Sequence, residues 1–424
     1  MRIRRIIPAG MVYAVSPTAA VIMGDSLMYV VLPVAAVDFG IHEHFGLGAA
    51  FWIGLALSIN RFVRLVSNAL AASVFQRFGV RWPFVVSIAV GALTTLAYGF
   101  GSGPVSLLVA RAVWGVSYSH MRLAALLTAF EVGTSTMRGR LVGFFNSGQR
   151  LGSLVAVTGG ALLFQLTSRE ITFASLTGIG LVGMLIATRV PSLKPERIRP
   201  SGGSLRSRLN LWDVAVSRLP ESGRGLRLPL LAISLMRFAT AFAANGLAIA
   251  TVAPYLAEFA DDNEKVLGGS LAVVTLAGLL VGFRWFSDLG LGVPLGHLSD
   301  RIGRSPSIAY GMIAMFTLLA LIGALDSLAG AIVGIPLLFL AAVGVNTALD
   351  AAIGETSPDS ARAAVVGRYS TWLDMGAALG PFTGFLIADR IGFQGGFLVA
   401  AALVAGAWIL YRVVTGNPFP QRAG

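Results

Sequence analysis

Apolar stretches of about 20 residues, the length a helix needs to cross a bilayer, recur along the whole chain. They fall at 11–37, 48–76, 83–100, 105–130, 141–166, 171–188, 228–257, 267–298, 307–325, 329–353, 368–388 and 392–411. Most connections between them are very short, such as Gly101-Ser102-Gly103-Pro104, so neighbouring helices run antiparallel. Only 12% of residues are charged, against about 25% in soluble domains. The sequence therefore predicts an all-α membrane protein of twelve transmembrane helices. The basic start, Met1-Arg2-Ile3-Arg4-Arg5, imitates a signal peptide. The stretch behind it is too long for a signal core and contains Asp25, so it reads as a retained first span.

Basic residues orient the chain. Of 32 Lys and Arg, only Arg169, Lys265 and Arg390 fall in outside segments when both termini are placed in the cytoplasm. A cell-membrane (inner or plasma) location with cytoplasmic termini follows. The net charge of +12 does not call for a nucleic-acid partner, because most of it sits in loops beside apolar segments. The basic residues of the longest connection favour anionic headgroups of membrane lipids. The longest connection, 191–227, reads as a basic cytoplasmic linker, and 205–219 within it as either a short interfacial helix or an irregular segment.

Shifting the sequence by 224 residues brings Arg77 onto Arg301, Gly79 onto Gly303, Glu131 onto Glu355 and Arg138 onto Arg362. Gly143, Gly152 and Gly160 fall on Gly367, Gly376 and Gly384. The expected organisation is a six-helix bundle at 1–190, the linker at 191–227 and a second, pseudo-symmetric six-helix bundle at 228–424. Repeats of this kind typify secondary transporters, whose substrate sites lie near the membrane midplane.

Residues 292–304 read Gly-Val-Pro-Leu-Gly-His-Leu-Ser-Asp-Arg-Ile-Gly-Arg. This resembles the G-x-x-x-G-x-L-x-D-R-x-G-R loop motif of the major facilitator superfamily. The first-half copy keeps Arg77, Gly79 and Arg81, but Ala72 and Gln76 replace the expected glycine and aspartate. Glu131-x6-Arg138 and Glu355-x6-Arg362 resemble the family's E-x6-R element, and Arg111-Ala-Val-Trp-Gly115 its fourth-span R-x-x-q-G element. Gly376-Ala-Ala-Leu-Gly380-Pro381-Phe-Thr-Gly384 is similar to the antiporter G-x3-G-P-x2-G element but lies in span eleven rather than span five. The resemblance implies the superfamily fold and alternating access. It also implies a cytoplasmic gate of Asp300, Arg301, Arg304, Glu355 and Arg362, with Arg77, Arg81, Glu131 and Arg138 in the first half.

Charges inside spans are costly and mark function. Spans three, six, nine and twelve carry none, whereas the other eight do. Arg61 and Arg64 share a face of span two, Arg111 and Tyr118 form a stripe on span four, and Asn146 and Arg150 share a face of span five. Asn346 and Asp350 do the same on span ten, and Trp372 and Asp374 lie on span eleven. The expected substrate contacts are Arg61, Arg64, Arg150, Asn146, Tyr118, Arg111, Asn346 and Trp372. Guanidinium forks suit carboxylates and phosphates, so a small organic anion or zwitterion is the expected solute. Burial favours the protonated carboxyl and a nearby arginine the ionised one, which makes Asp25, with Asp350 and Asp374, the candidate proton sites. Arg284 and Asp288, at i and i+4, either pair along their own helix or face the cavity.

No catalytic constellation, phosphate-cradling GKS or GKT loop, metal cluster or cofactor motif is present in the sequence, and an enzyme is not expected. The expected partners are a small-molecule solute, protons and lipids, with the protein a monomer. A proton-coupled exporter of lipophilic compounds and a non-transporting membrane receptor or lipid-handling scaffold are the competing readings.

Overall fold

The computed structural model describes residues 7–134, 137–192, 227–259, 270–357 and 362–415. The first spans form α1 (Ala9–Val31), α2 (Ala49–Phe78), α3 (Arg81–Phe100) and α4 (Pro104–Val132). Next come α5 (Arg138–Val155), running through a π-helical turn at Ala156–Gly160 into α6 (Ala161–Leu166), and α7 (Arg169–Ala187). Then α8 (Arg227–Thr240) passes through a π segment at Ala241–Ala248 into α9 (Ile249–Ala257). The remainder is α10 (Ser270–Gly290), α11 (Gly292–Ile302), α12 (Arg304–Leu325), α13 (Leu328–Thr356) and α14 (Arg362–Thr415). The only strand-like feature among the described residues is an isolated bridge between His44 and Leu47.

Local chemistry explains several ends. Pro104 occupies the first turn of α4, where a missing N–H costs nothing. Ser168 and Ser327 cap α7 and α13 by accepting the N–H groups of Ile171 and Gly330. Gly303, between α11 and α12, has φ +93°, a region other residues rarely enter, which accounts for the glycine of the loop motif.

Nine helical stretches among the described residues are long and apolar enough to cross a membrane. α4 and the continuous 138–166 run, both richer in polar side chains, fall outside that set, and α14 covers the expected spans eleven and twelve in one helix. That helix has non-helical angles at Ile391 and Gly392, at the expected junction of spans eleven and twelve. Several boundaries differ from expectation, among them the start of span eleven, where the helix begins at Arg362 rather than at 368. The first span ends at Val31, before Pro33, and the eighth is split at Leu291 into α10 and α11. The expected linker helix at 205–219 lies outside the described residues.

The chain forms two compact units. The first gathers α1–α7 with α10, and the second gathers α8, α9 and α11–α14. The first packs around Val21, Phe84, Ile88, Met121 and Phe145. Within it, Gly278 of α10 brings that helix against the backbone at Val157, where an added Cβ would meet the Val157 carbonyl. In the second, Gly376 and Gly380 of α14 lie against the backbone of Phe238, Phe242 and Gly246. Small residues at helix crossings permit this approach in an environment where packing, not water exclusion, holds helices together.

Candidate functional site

In the first unit a buried ion pair joins α1 to α4. Arg111 is fully buried and its Nη1 contacts the Asp25 carboxylate. Its Nε donates to the Ala56 carbonyl at 2.8 Å and Nη2 to the Leu57 carbonyl at 3.3 Å, both on α2. Asn60 donates to the same Asp25 oxygen at 3.0 Å. The guanidinium also lies 5.2 Å from the Tyr29 ring centroid and 6.0 Å from that of Tyr98. Burying two charges is costly unless their remaining hydrogen-bonding capacity is met, and here three helices meet it.

Tyr29 links this pair to the next layer. Its hydroxyl donates to the Leu57 carbonyl at 3.0 Å and accepts Arg61 Nε at 3.2 Å. Arg61 also lies 5.6 Å from the Tyr29 ring centroid. One turn on, Arg64 sits 4.5 Å from the centroid of Tyr118. Tyr118 stacks on Trp114 and donates its hydroxyl to Gln149 of α5. Arg61, Arg64 and Tyr118 are half-buried, so the α2 and α4 faces meet in one layered aromatic and guanidinium wall. Asn146 is exposed, one turn before Arg150. Arg150 reaches Asp288 of α10 at 3.3 Å, and Arg284 reaches the same carboxylate oxygen at 2.5 Å.

The second unit holds a separate cluster. The Tyr369 hydroxyl donates to Asp350 at 2.6 Å, and Arg237 Nη2 lies 3.7 Å from the same oxygen. The Arg237 guanidinium is 5.7 Å from the Tyr369 ring centroid. Arg237 is buried, whereas the Asp350 side chain is 55% exposed. Asn346, one turn before Asp350, is buried and accepts the Thr240 hydroxyl at 3.0 Å. Trp372 packs edge-on against Phe238. Asp374 is buried.

At one end of this unit Arg304 receives two carboxylates. Its Nη2 lies 2.5 Å from Asp300 and 3.1 Å from Glu355, with Nε also 3.1 Å from Glu355. Nη1 donates to Ser299 at 3.0 Å. Arg301 is exposed. In the first half, Arg77 lies over the Phe78 ring, and Arg81 donates to the Val190 carbonyl at 2.7 Å. Glu131 is exposed. The side chains of Arg138 and Arg362 lie outside the described residues.

Asp25 and Arg111 therefore meet, as do Arg150 with Asp288 and Arg304 with Asp300 and Glu355. The contributions of Asn60 and Gln149 did not emerge from the sequence reading. Each stands directly beside an arginine, Arg61 or Arg150, that dominates the pattern of its span. Tyr369, next to the charged Arg368, was missed for the same reason.

Residues 18–288 and 233–423 match the model of the Major Facilitator Superfamily. The chain belongs to that superfamily. It is 24% identical over 356 residues to the chromaffin granule amine transporter of Rattus norvegicus, covering 80% of this chain and 61% of that one. It is 21% identical over 393 residues to the hexuronate transporter of Bacillus subtilis (strain 168), covering 87% and 88%. The match thus spans only about three-fifths of the length of the amine transporter. Among solved structures, the nucleoside transporter NupG aligns with a TM-score of 0.74 at 11% identity, covering 97% of this chain and all of that one. A bacterial homolog of the human lysosomal transporter Spinster, inward-facing and occupied, gives 0.70 at 15% identity, with 96% of each chain covered. At these identities the structural likeness speaks for the fold alone.

Proposed function

We propose that the chain is a secondary transporter that moves a small organic anion or zwitterion by alternating access, coupled to protons, with both termini in the cytoplasm. The observation that carries the solute class is the seating of Arg61. Its Nε is held by the Tyr29 hydroxyl and its guanidinium lies over that ring, which fixes the group's orientation. A guanidinium so presented offers its paired N–H edge to a carboxylate or phosphate. The spans of the first unit carry six arginines against two aspartates, Asp25 and Asp288, and Asp25 is engaged by Arg111. The hexuronate transporter among the relatives handles a sugar acid by name, which fits an anionic solute.

Coupling is assigned to Asp350. Its carboxylate is accessible yet tied to Arg237 and Tyr369, so gain of a proton would dissolve one ion pair and leave Arg237 to a substrate anion or another acceptor. Asp25 sits deeper, closed in by Arg111 and Asn60, and is better suited to holding α1, α2 and α4 together. Asp300, Arg304 and Glu355 are proposed to gate the cytoplasmic end.

A second reading, export of cationic amines, is favoured by the amine transporters among the relatives and by the exposed Asp350 carboxylate. Counterflow in proteoliposomes separates the readings. A uronate or an amino acid should exchange, and Arg61→Gln should reduce that exchange at least tenfold. Exchange of a monoamine alone, unaffected by Arg61→Gln, would put the amine reading in its place. Exchange of nothing across such a panel would favour a receptor or scaffold.

A further inference from the structure

The first unit carries a cavity that the transport reading does not use. It is a groove of about 470 Å³ on the side of α4 away from Arg111, walled by α2 and α3. This lies within the ~300–1,000 Å³ of small-molecule sites. Val74 and Phe78 supply one wall, Trp82 and Val86 the other, and Val113 and His120 part of the floor. Phe78 and Trp82 are 62% and 67% exposed, so the groove opens outward from the bundle. Its long direction follows the helices. From Trp82 to Val90 along α3 it extends about 12 Å, at ~1.5 Å per residue. One end lies near mid-span, and the other at the α2–α3 connection, a membrane edge.

That edge is basic. Arg77 places its guanidinium 5.4 Å from the centroid of Phe78, the ring that lines the groove. Arg81 begins α3 one residue before Trp82. An apolar slot that starts at a positively charged, tryptophan-bearing membrane edge and runs toward mid-span matches one ligand shape: an acyl chain below an anionic headgroup. Basic pockets between transmembrane helices select anionic lipids on these grounds, and Trp and Arg anchor at headgroup depth.

We propose that this groove binds an anionic phospholipid, with one acyl chain along α3 and α4 and the phosphate at Arg77. Charge complementarity at the rim selects an anionic over a zwitterionic headgroup, and the groove supplies affinity common to both. The proposal is independent of the transported solute.

The test is native mass spectrometry of the delipidated full chain, titrated with phosphatidylglycerol or with phosphatidylcholine of the same acyl chains. One phosphatidylglycerol should be retained at about tenfold lower lipid concentration than phosphatidylcholine. Val86→Trp, at an exposed wall position, should abolish that retained adduct. Val113→Trp, on the floor, serves as a second filling variant, and monodispersity in detergent reports that each is folded. Arg77→Gln should equalise the two lipids while leaving a weak adduct of each. Equal retention of both lipids by the wild-type chain would overturn the proposal. So would an adduct that survives both filling variants, or a lipid-free dimer that the filling variants dissociate.

Discussion

Asp25 and Arg111, 86 residues apart in sequence, form an ion pair buried between α1 and α4, roofed by Asn60 and the α2 carbonyls. Removing one partner of such a pair leaves an uncompensated buried charge, at a cost of about 3–5 kcal/mol. Asp25→Asn and Arg111→Gln should each lower the thermal midpoint in detergent substantially. Because each loss contains the penalty for the stranded partner, the double variant should recover at least half of the summed loss. Purely additive midpoints, read by tryptophan fluorescence, would show that the two residues do not act as a pair.

The Arg237–Asp350–Tyr369 cluster invites the opposite experiment. The Asp350 side chain is more than half exposed, and asparagine keeps an acceptor oxygen for Tyr369 and the buried Arg237, so the substitution should leave the fold intact. Asp350→Asn is expected to keep counterflow exchange near wild-type while abolishing accumulation driven by an imposed pH gradient. Tyr369→Phe removes only the hydroxyl and should shift the pH dependence of exchange without eliminating it. Accumulation by Asp350→Asn at the wild-type level under a proton gradient would move the coupling site to Asp374 or Asp25.

Arg304 with Asp300 and Glu355 forms an exposed network whose acids are 54% and 49% exposed. Exposed pairs are worth only about 0–1 kcal/mol, so their value lies in biasing conformations rather than in stability. Glu355→Gln should leave the thermal midpoint within roughly 4 °C of wild-type, the shift that ~1 kcal/mol produces. The same change should slow exchange severalfold. A large midpoint loss with unchanged exchange would mark the network as structural.

Much of this organisation was legible in the sequence because hydrocarbon imposes a length rule on every span and a penalty on every charge within one. The spans from α2 to α7 begin and end within about three residues of the expected limits, and the 292–304 motif falls on α11 and its glycine turn. What stayed hidden was pairing. The sequence placed Asp25 on a face with Tyr29 and Arg61 on a face with Arg64, but helical periodicity fixes only neighbours on one helix. Which arginine meets Asp25 depends on how α1, α2 and α4 cross, and that is set by small residues such as Gly115, where an added Cβ would meet the Asn60 carbonyl. The π segments in the 138–166 and 227–257 runs were likewise invisible, since an extra residue in one turn leaves the hydropathy pattern unchanged.

Those close crossings can be tested directly. An added Cβ at Gly380 would lie 2.5 Å from Leu247 N and 2.6 Å from the Phe242 carbonyl oxygen, both backbone atoms that cannot swing aside. Gly380→Ala must therefore push α14 away from the π segment at Ala241–Ala248, and overpacking of this kind costs about 1–3 kcal/mol. Gly406→Ala on the same helix meets nothing within 4 Å and should be neutral. Equal midpoints for the two variants in a thermal-shift series would refute the crossing.

Glu258 provides a pH-dependent stability test outside the spans. It follows α9, and its carboxylate accepts Gln394 Nε2 at 3.3 Å, while the same amide nitrogen donates to Asp326 at 2.8 Å. Burial pushes the Glu258 carboxyl above its ordinary 4.5, the nearby Asp326 adds to the rise, and the Gln394 amide opposes it. The folded state therefore holds this proton more tightly than the unfolded one. Linkage then requires that the second unit gain stability as pH falls from the raised value toward 4.5, and lose it as pH rises through the same window. Above the window the penalty of the charged carboxylate is present in full. Glu258→Gln keeps an acceptor for Gln394 but removes the charge, so it should raise the midpoint at neutral pH and flatten the acid-side slope. Asp326→Asn should reproduce part of that effect by removing the neighbouring charge. A Glu258→Gln midpoint that tracks wild-type from about pH 4 to about pH 8, a range that spans carboxylate titration, would show that the carboxylate cluster does not contribute to stability.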